Sequence, residues 1–260
     1  MSGYLNTPSM LSGWRLAVGI AVAFIFLLGM CSRGRVTGAD IARDLDADPN
    51  AAIMAMAMRT HYPQDFETIL LRLADVANNS PRQAVAQAAA REFSLFLQGK
   101  AGTVANAPNA ELRALAAATL GFITELRSGD VNLCAQYALG GVQPGQQLPV
   151  RARPLQAQLV SLQLAAARQA ETSRRVSRPA LSPADGRRLF ERISVNAPNL
   201  APLIDNGSIE RAPASQQCEA GVAIYRSITE LPDPVAANVM AQILRDATRP
   251  AQPQSGASRS

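Results

Sequence analysis

The feature that most limits what this chain can fold into is a run of 17 uncharged residues, Leu16 to Ser32, held between Arg15 and Arg33. As a helix it would cover roughly 26 Å, a little less than a ~30 Å hydrocarbon core. Its flanks make up the difference: Trp14 suits the headgroup layer, and Arg15 and Arg33 can extend their guanidinium groups outward. Residues 16–32 offer no polar face at any helical phase, which argues against a core helix of a globular domain. The run therefore predicts a transmembrane signal anchor over 16–32, behind a short tail (1–15) and ahead of a juxtamembrane linker (33–47). No second long apolar run follows, so the expectation is a single span.

A cleaved signal peptide is the rival reading, since it too has a short apolar region closed by small residues. Gly29 and Cys31 could form the small pair, but Met30, Arg33 and Arg35 crowd the cutting site. "LLGMC" invites a lipidated Cys31, yet Met30 stands where that signal wants a small residue. The two orientation arguments disagree. Arg33, Arg35 and Arg43 outnumber Arg15 and favour a cytoplasmic domain, whereas long domains translocate largely regardless of such counts. The reading adopted is a bacterial inner-membrane protein with its C-terminal domain on the periplasmic side.

Behind the anchor, helix openings recur: Asp48 with Pro49, Ser80 with Pro81, Ser182 with Pro183, Asp233 with Pro234. In each, a side-chain oxygen can accept from an orphan N–H of the first turn, and proline at the first helical position loses no bond it needed. Asp185 follows Ser182 by three residues, a capping-box variant. Apolar residues then repeat at helical spacing: Phe66, Ile69, Leu70, Leu73 and Val76; Leu112, Leu115, Ala116, Leu120, Ile123 and Leu126. Leu189, Phe190 and Ile193 follow the same rule, as do Val222, Tyr225 and Ile228, and Val235, Val239, Ile243 and Leu244. The one alternating run, Ile53 to Met58, is built from Met and Ala, which prefer helix. The expectation is an all-α domain over 48–248, an irregular bundle of about eight or nine short helices. The proline-led starts share no period, so a repeat array is not indicated. The Gly140 to Pro149 stretch either separates two lobes, 48–139 and 150–248, or is a surface loop; residues 249–260 read as a disordered tail.

The chemistry on offer is narrow. His61 is the one histidine, which excludes any mechanism needing two. It could pair with Asp65 or Glu67, but Asp65 is already accounted for by the positive end of a helix dipole behind Pro63. No phosphate-binding glycine loop, HExxH, GxSxG or CxxC occurs, so no catalytic, cofactor or metal site is assigned. Cys134 and Cys218 fall on predicted helices near loops and read either as buried free thiols or as a disulfide. The bond requires an oxidising compartment, and closing a loop of roughly 85 residues would constrain the unfolded chain by about 4 kcal/mol.

Charge is uneven. Arg151, Arg153, Arg168, Arg174, Arg175, Arg178, Arg187, Arg188 and Arg192 face only Glu171, Asp185 and Glu191, a net +6 in a chain of net +5. This segment is either a solvated face or a surface for anionic lipid headgroups or an acidic protein. With Phe190 as its one aromatic it lacks the stacking platform of a single-strand nucleic-acid binder. Lys100, the sole lysine among 25 basic residues, reads as codon bias. The function expected is binding: a membrane-anchored scaffold or accessory subunit of an envelope complex with a protein partner. The alternatives are a cytoplasm-facing domain docking an anionic partner through Arg151 to Arg192, and a small enzyme using His61 and Asp65.

Overall fold

The computed structural model describes residues 35–139, 147–173, 176 and 178–248. The expected anchor at 16–32, most of the Gly140 to Pro149 stretch, Arg174, Arg175 and the 249–260 tail lie outside the described residues. Among the described residues the regular elements are eleven α-helices and one 3-10 turn, with no strand. None of these helices is long and apolar enough to cross a membrane.

Among the described residues, side-chain caps explain four of the eleven helix starts. The Thr37 hydroxyl accepts from the Asp40 N–H at 3.3 Å, and the Asp40 carboxylate accepts from the Thr37 N–H at 3.0 Å. This reciprocal box opens α1 (Gly38–Ala47), which buries Ile41 and Leu45. The expected linker over 33–47 is thus helical from Gly38 onward; two strongly apolar positions carry too little periodicity to stand out. Asp48 accepts from the Asn50 and Ala51 N–H groups at 2.9 and 2.8 Å and starts α2 (Pro49–His61). Tyr62 then joins α2 to α3 (Pro63–Asn79). At Ser80 and Pro81 the expected cap fails: Ser80 terminates α3, and an extended Pro81 precedes α4 (Arg82–Val104) with no side-chain cap.

The remaining elements are α5 (Asn109–Gly129), α6 (Val131–Leu139), α7 (Ala152–Thr172), α8 (Pro183–Asn196) and α9 (Ala201–Asp205). The 3-10 turn Ser208–Arg211, α10 (Ala214–Glu230) and α11 (Asp233–Thr248) complete the chain. Asp130 divides α5 from α6 by accepting from the Asn132 and Leu133 N–H groups, and Ser182 caps α8 through the Asp185 N–H. Eleven helices rather than eight or nine result, because α1, the short α9 and the α5/α6 break were not separable by pattern.

Two helices organise the packing. α5 lies against α6, α7, α10 and α11, while α7 lies against α2, α4 and α5. α1 closes on α2 and α3, and α8 rests on α9, α10 and α11. Helices from either side of the 140–149 stretch therefore share one contiguous core, from Ile41 and Leu45 through Leu112, Ile123 and Leu164 to Ile228 and Leu244. Much of it is alanine, including Ala89, Ala116, Ala166, Ala167, Ala237 and Ala241, which lets helix axes approach closely and bury backbone as well as side chain.

Candidate functional site

Cys134 on α6 and Cys218 on α10 are joined as a disulfide with their Cα atoms 5.2 Å apart, and both are fully buried. Such closeness needs two helices in near contact at that level. Gly221 supplies it: a Cβ there would stand 2.6 Å from the Ala138 Cβ. One turn from Cys218 and one from Cys134, this pair lets α10 settle onto α6. Tyr137 packs edge-on to Phe122 beside the bond, and burial pushes the hydroxyls of Tyr137 and Tyr225 well above the usual tyrosine range.

His61 ends α2 and is half-buried, while Asp65 is exposed in the first turn of α3. Among the described residues no group of three or more His, Cys, Asp or Glu is placed to hold a metal ion.

The described arginines of the 151–192 segment are carried by α7, the α7–α8 connection and α8. Arg151 and Arg153 stand at the start of α7, where the Arg153 Nε donates to the Leu148 carbonyl at 3.2 Å, and Arg168 lies near the other end, 3.8 Å from Glu171. Arg187, Arg188 and Arg192 belong to α8, which packs on other helices; Arg188 lies 3.8 Å from Asp185 and Arg192 lies 3.9 Å from Glu230. Arg178 turns inward. Its Nη2 donates to the Ala107 carbonyl and to Asn109 Oδ1, both at 2.7 Å, and its Nη1 donates to Asn238 Oδ1 at 3.3 Å. Burial, and then the charge of Arg245, hold its pKa below the usual arginine value. Arg178 is therefore removed from the expected docking surface: it ties the α7–α8 connection to the start of α5 and to α11.

The chain's one lysine has a role the composition hid. Lys100 on α4 pairs with Glu171 on α7 at 2.7 Å, and its ammonium stands 4.3 Å from the Tyr62 ring centre and 5.5 Å from that of Phe96. Tyr62 and Phe96 meet edge to face at 5.2 Å. A compact ammonium with three donors can serve both rings and a carboxylate at once. Burial first, and the Glu171 charge second, raise the Tyr62 hydroxyl pKa well above the usual range. This joint fastens the α2–α3 junction to α4 and α7. The shallow depression beside it, lined by Leu97, Lys100, Ala101, Val104, Gln163 and Leu244, has room for no more than about one water.

Two exposed leucines remain on the outer side of α3 and α4. Leu71 is 66% and Leu95 52% exposed, and they stand next to and one turn beyond the Arg72–Glu92 ion pair that bridges these helices at 2.8 Å. Neither stands out in the sequence, because both fall within apolar runs whose other members are buried or half-buried. No family model, curated protein or solved structure matches this chain.

Proposed function

We propose that the chain is a single-pass, membrane-anchored all-α protein that works by binding, as a scaffold or accessory subunit of an envelope complex, with its helical domain outside the cytoplasm. The observation that carries the compartment is the Cys134–Cys218 bond in the core, since structural disulfides persist where the surroundings are oxidising. The anchor rests on the uncharged run at 16–32. The candidate contact for a binding role is Leu71 and Leu95, large apolar side chains left in solvent on α3 and α4 beside the Arg72–Glu92 pair.

The test is a reporter fused after Ser260, combined with thiol labelling of the denatured protein with and without reductant. A reporter active outside the cytoplasm, with two further cysteines labelled only after reduction, supports the reading. A cytoplasmic reporter with all thiols free overturns it in favour of the cytoplasm-facing alternative. The non-enzymatic part is checked separately: a folded, normally abundant His61→Gln chain is expected to retain its cellular role, and its loss would restore the enzyme reading.

A further inference from the structure

Where the chain enters the helical domain, it is held by one side chain. The Val36 N–H donates to Asn78 Oδ1 at 2.8 Å, and Asn78 Nδ2 donates back to the Val36 carbonyl at 2.8 Å and to the Ala74 carbonyl at 2.7 Å. The primary amide pairs with both backbone groups of one residue, as a neighbouring strand would. Val36 itself is buried, and the Thr37 box starts α1 directly afterwards. At Gly38 the α1 backbone approaches α3 so closely that a Cβ would be 3.4 Å from the Leu70 Cβ. From Val36 onward the chain is therefore committed to the last turns of α3.

Only three steps of chain separate Arg33, the charge that closes the apolar run, from Val36. Fully extended they reach about 10 Å, whereas the headgroup layer on one side of a bilayer is roughly 5–7 Å deep. An anchor ending at Arg33 leaves only a few ångströms for the domain to stand away from the lipid. Resting on the membrane-anchored reading, we propose that Asn78 seats the domain on the bilayer, with the α3–α4 turn against the phospholipid headgroups. The chemistry of that turn fits. From Val76 to Pro81 no side chain is charged, and Asn78, Asn79, Ser80 and Pro81 are exposed. The Asn78 amide N–H groups are given to Val36 and Ala74 and those of Asn79 to Asp75, so it is the Ser80 hydroxyl that can donate to phosphate and ester oxygens, and that contact needs no anionic lipid, so the seat forms on zwitterionic bilayers too.

The experiment uses the full chain, carrying Cys31→Ala, in phosphatidylcholine proteoliposomes. A spin label is placed at Asn79→Cys or, as a distant control on α8, at Val195→Cys, where the native side chain is 70% exposed. Collision with a paramagnetic chelate attached to lipid headgroups is expected to be several-fold stronger at 79 than at 195. Inserting about twelve Gly/Ser residues between Arg35 and Val36 lets the domain lift and is expected to remove that difference. Equal collision at both sites in the uninserted chain, with the protein still in the membrane after carbonate extraction, overturns the seat and leaves the anchor standing. Release by carbonate overturns the anchor reading, and the seat falls with it.

Discussion

Single residues carry the closest contacts in this molecule, and two of them show opposite uses of size. At Gly221 the missing Cβ is the point. Replacing a helical glycine by alanine ordinarily gains about 1 kcal/mol, but here the new atom would meet the Ala138 Cβ at 2.6 Å, and overpacking of this kind costs about 1–3 kcal/mol. Gly221→Ala is therefore expected to lower stability in denaturant unfolding, and adding Ala138→Gly to recover part of the loss; a Gly221→Ala chain as stable as the parent refutes the close contact. At Arg178 the long fork is the point. Its two strongest bonds go to Ala107 and Asn109, 71 and 69 residues away in sequence. Arg178→Ala is expected to cost about 2 kcal/mol, the range for bonds to a charged group, and Arg178→Lys to recover only part of it, because one ammonium can take over the Ala107 and Asn109 oxygens that Nη2 serves but leaves Asn238 without the second arm of the fork. Equal stability of the lysine and arginine chains would contradict this.

Several of the helices, α1, α2 and α6 among them, are short, and there the ends matter in proportion. Asp48 satisfies two orphan N–H groups of α2, so Asp48→Ala is expected to cost about 1 kcal/mol, while Asp48→Ser keeps most of the cap. The α1 box adds a pH dependence. The Thr37 hydroxyl first, and the Thr37 backbone N–H second, stabilise the ionised Asp40 and hold its pKa below the ordinary aspartate value. A carboxyl depressed in the folded state contributes its stabilisation above the unfolded pKa and loses it as pH falls through the lower folded one. An NMR titration of the Asp40 carboxyl is expected to place its midpoint below that of a Thr37→Ala chain, and an unchanged midpoint would dissolve the box.

At the scale of the whole molecule, stability is concentrated where α5 and α7 gather the other helices, and the disulfide locks one side of that arrangement. A bond between positions 84 apart in sequence removes about 4 kcal/mol of unfolded-chain freedom on the loop-entropy model. For a domain of this size that corresponds to a fall of roughly 10 °C in Tm when the bond is absent. A Cys134→Ala, Cys218→Ala chain in calorimetry is expected to show that fall with the helical circular dichroism signal retained, because Cys134 and Cys218 are two among many buried side chains of the shared core. A Tm unchanged by the double substitution would show that the bond contributes nothing to the fold.

What the sequence alone determined is what short stretches decide by themselves. The apolar faces of α3, α5, α8, α10 and α11 are visible as repeats at i, i+3, i+4, i+7, and Asp48 and Ser182 announce their helices because a cap bonds to an N–H two or three residues on. The all-α class follows from those signals together. α7 was read only through its arginines, since a face built largely from Ala157, Ala166, Ala167 and Ala170 has little hydrophobic contrast; tertiary packing alone makes it a central helix. The same is true of Arg178, which sequence counts as surface charge and the fold turns inward, and of Lys100, whose worth depends on Tyr62 and Glu171 arriving from two other places in the chain beside Phe96 on its own helix. Whether Cys134 and Cys218 could meet was equally a matter of how far α10 settles onto α6. Local hydrogen bonding and periodicity act over one or two turns and are written in adjacent residues. Close approach between helices depends on which small and charged side chains the other helices bring, and that is decided only when the core assembles.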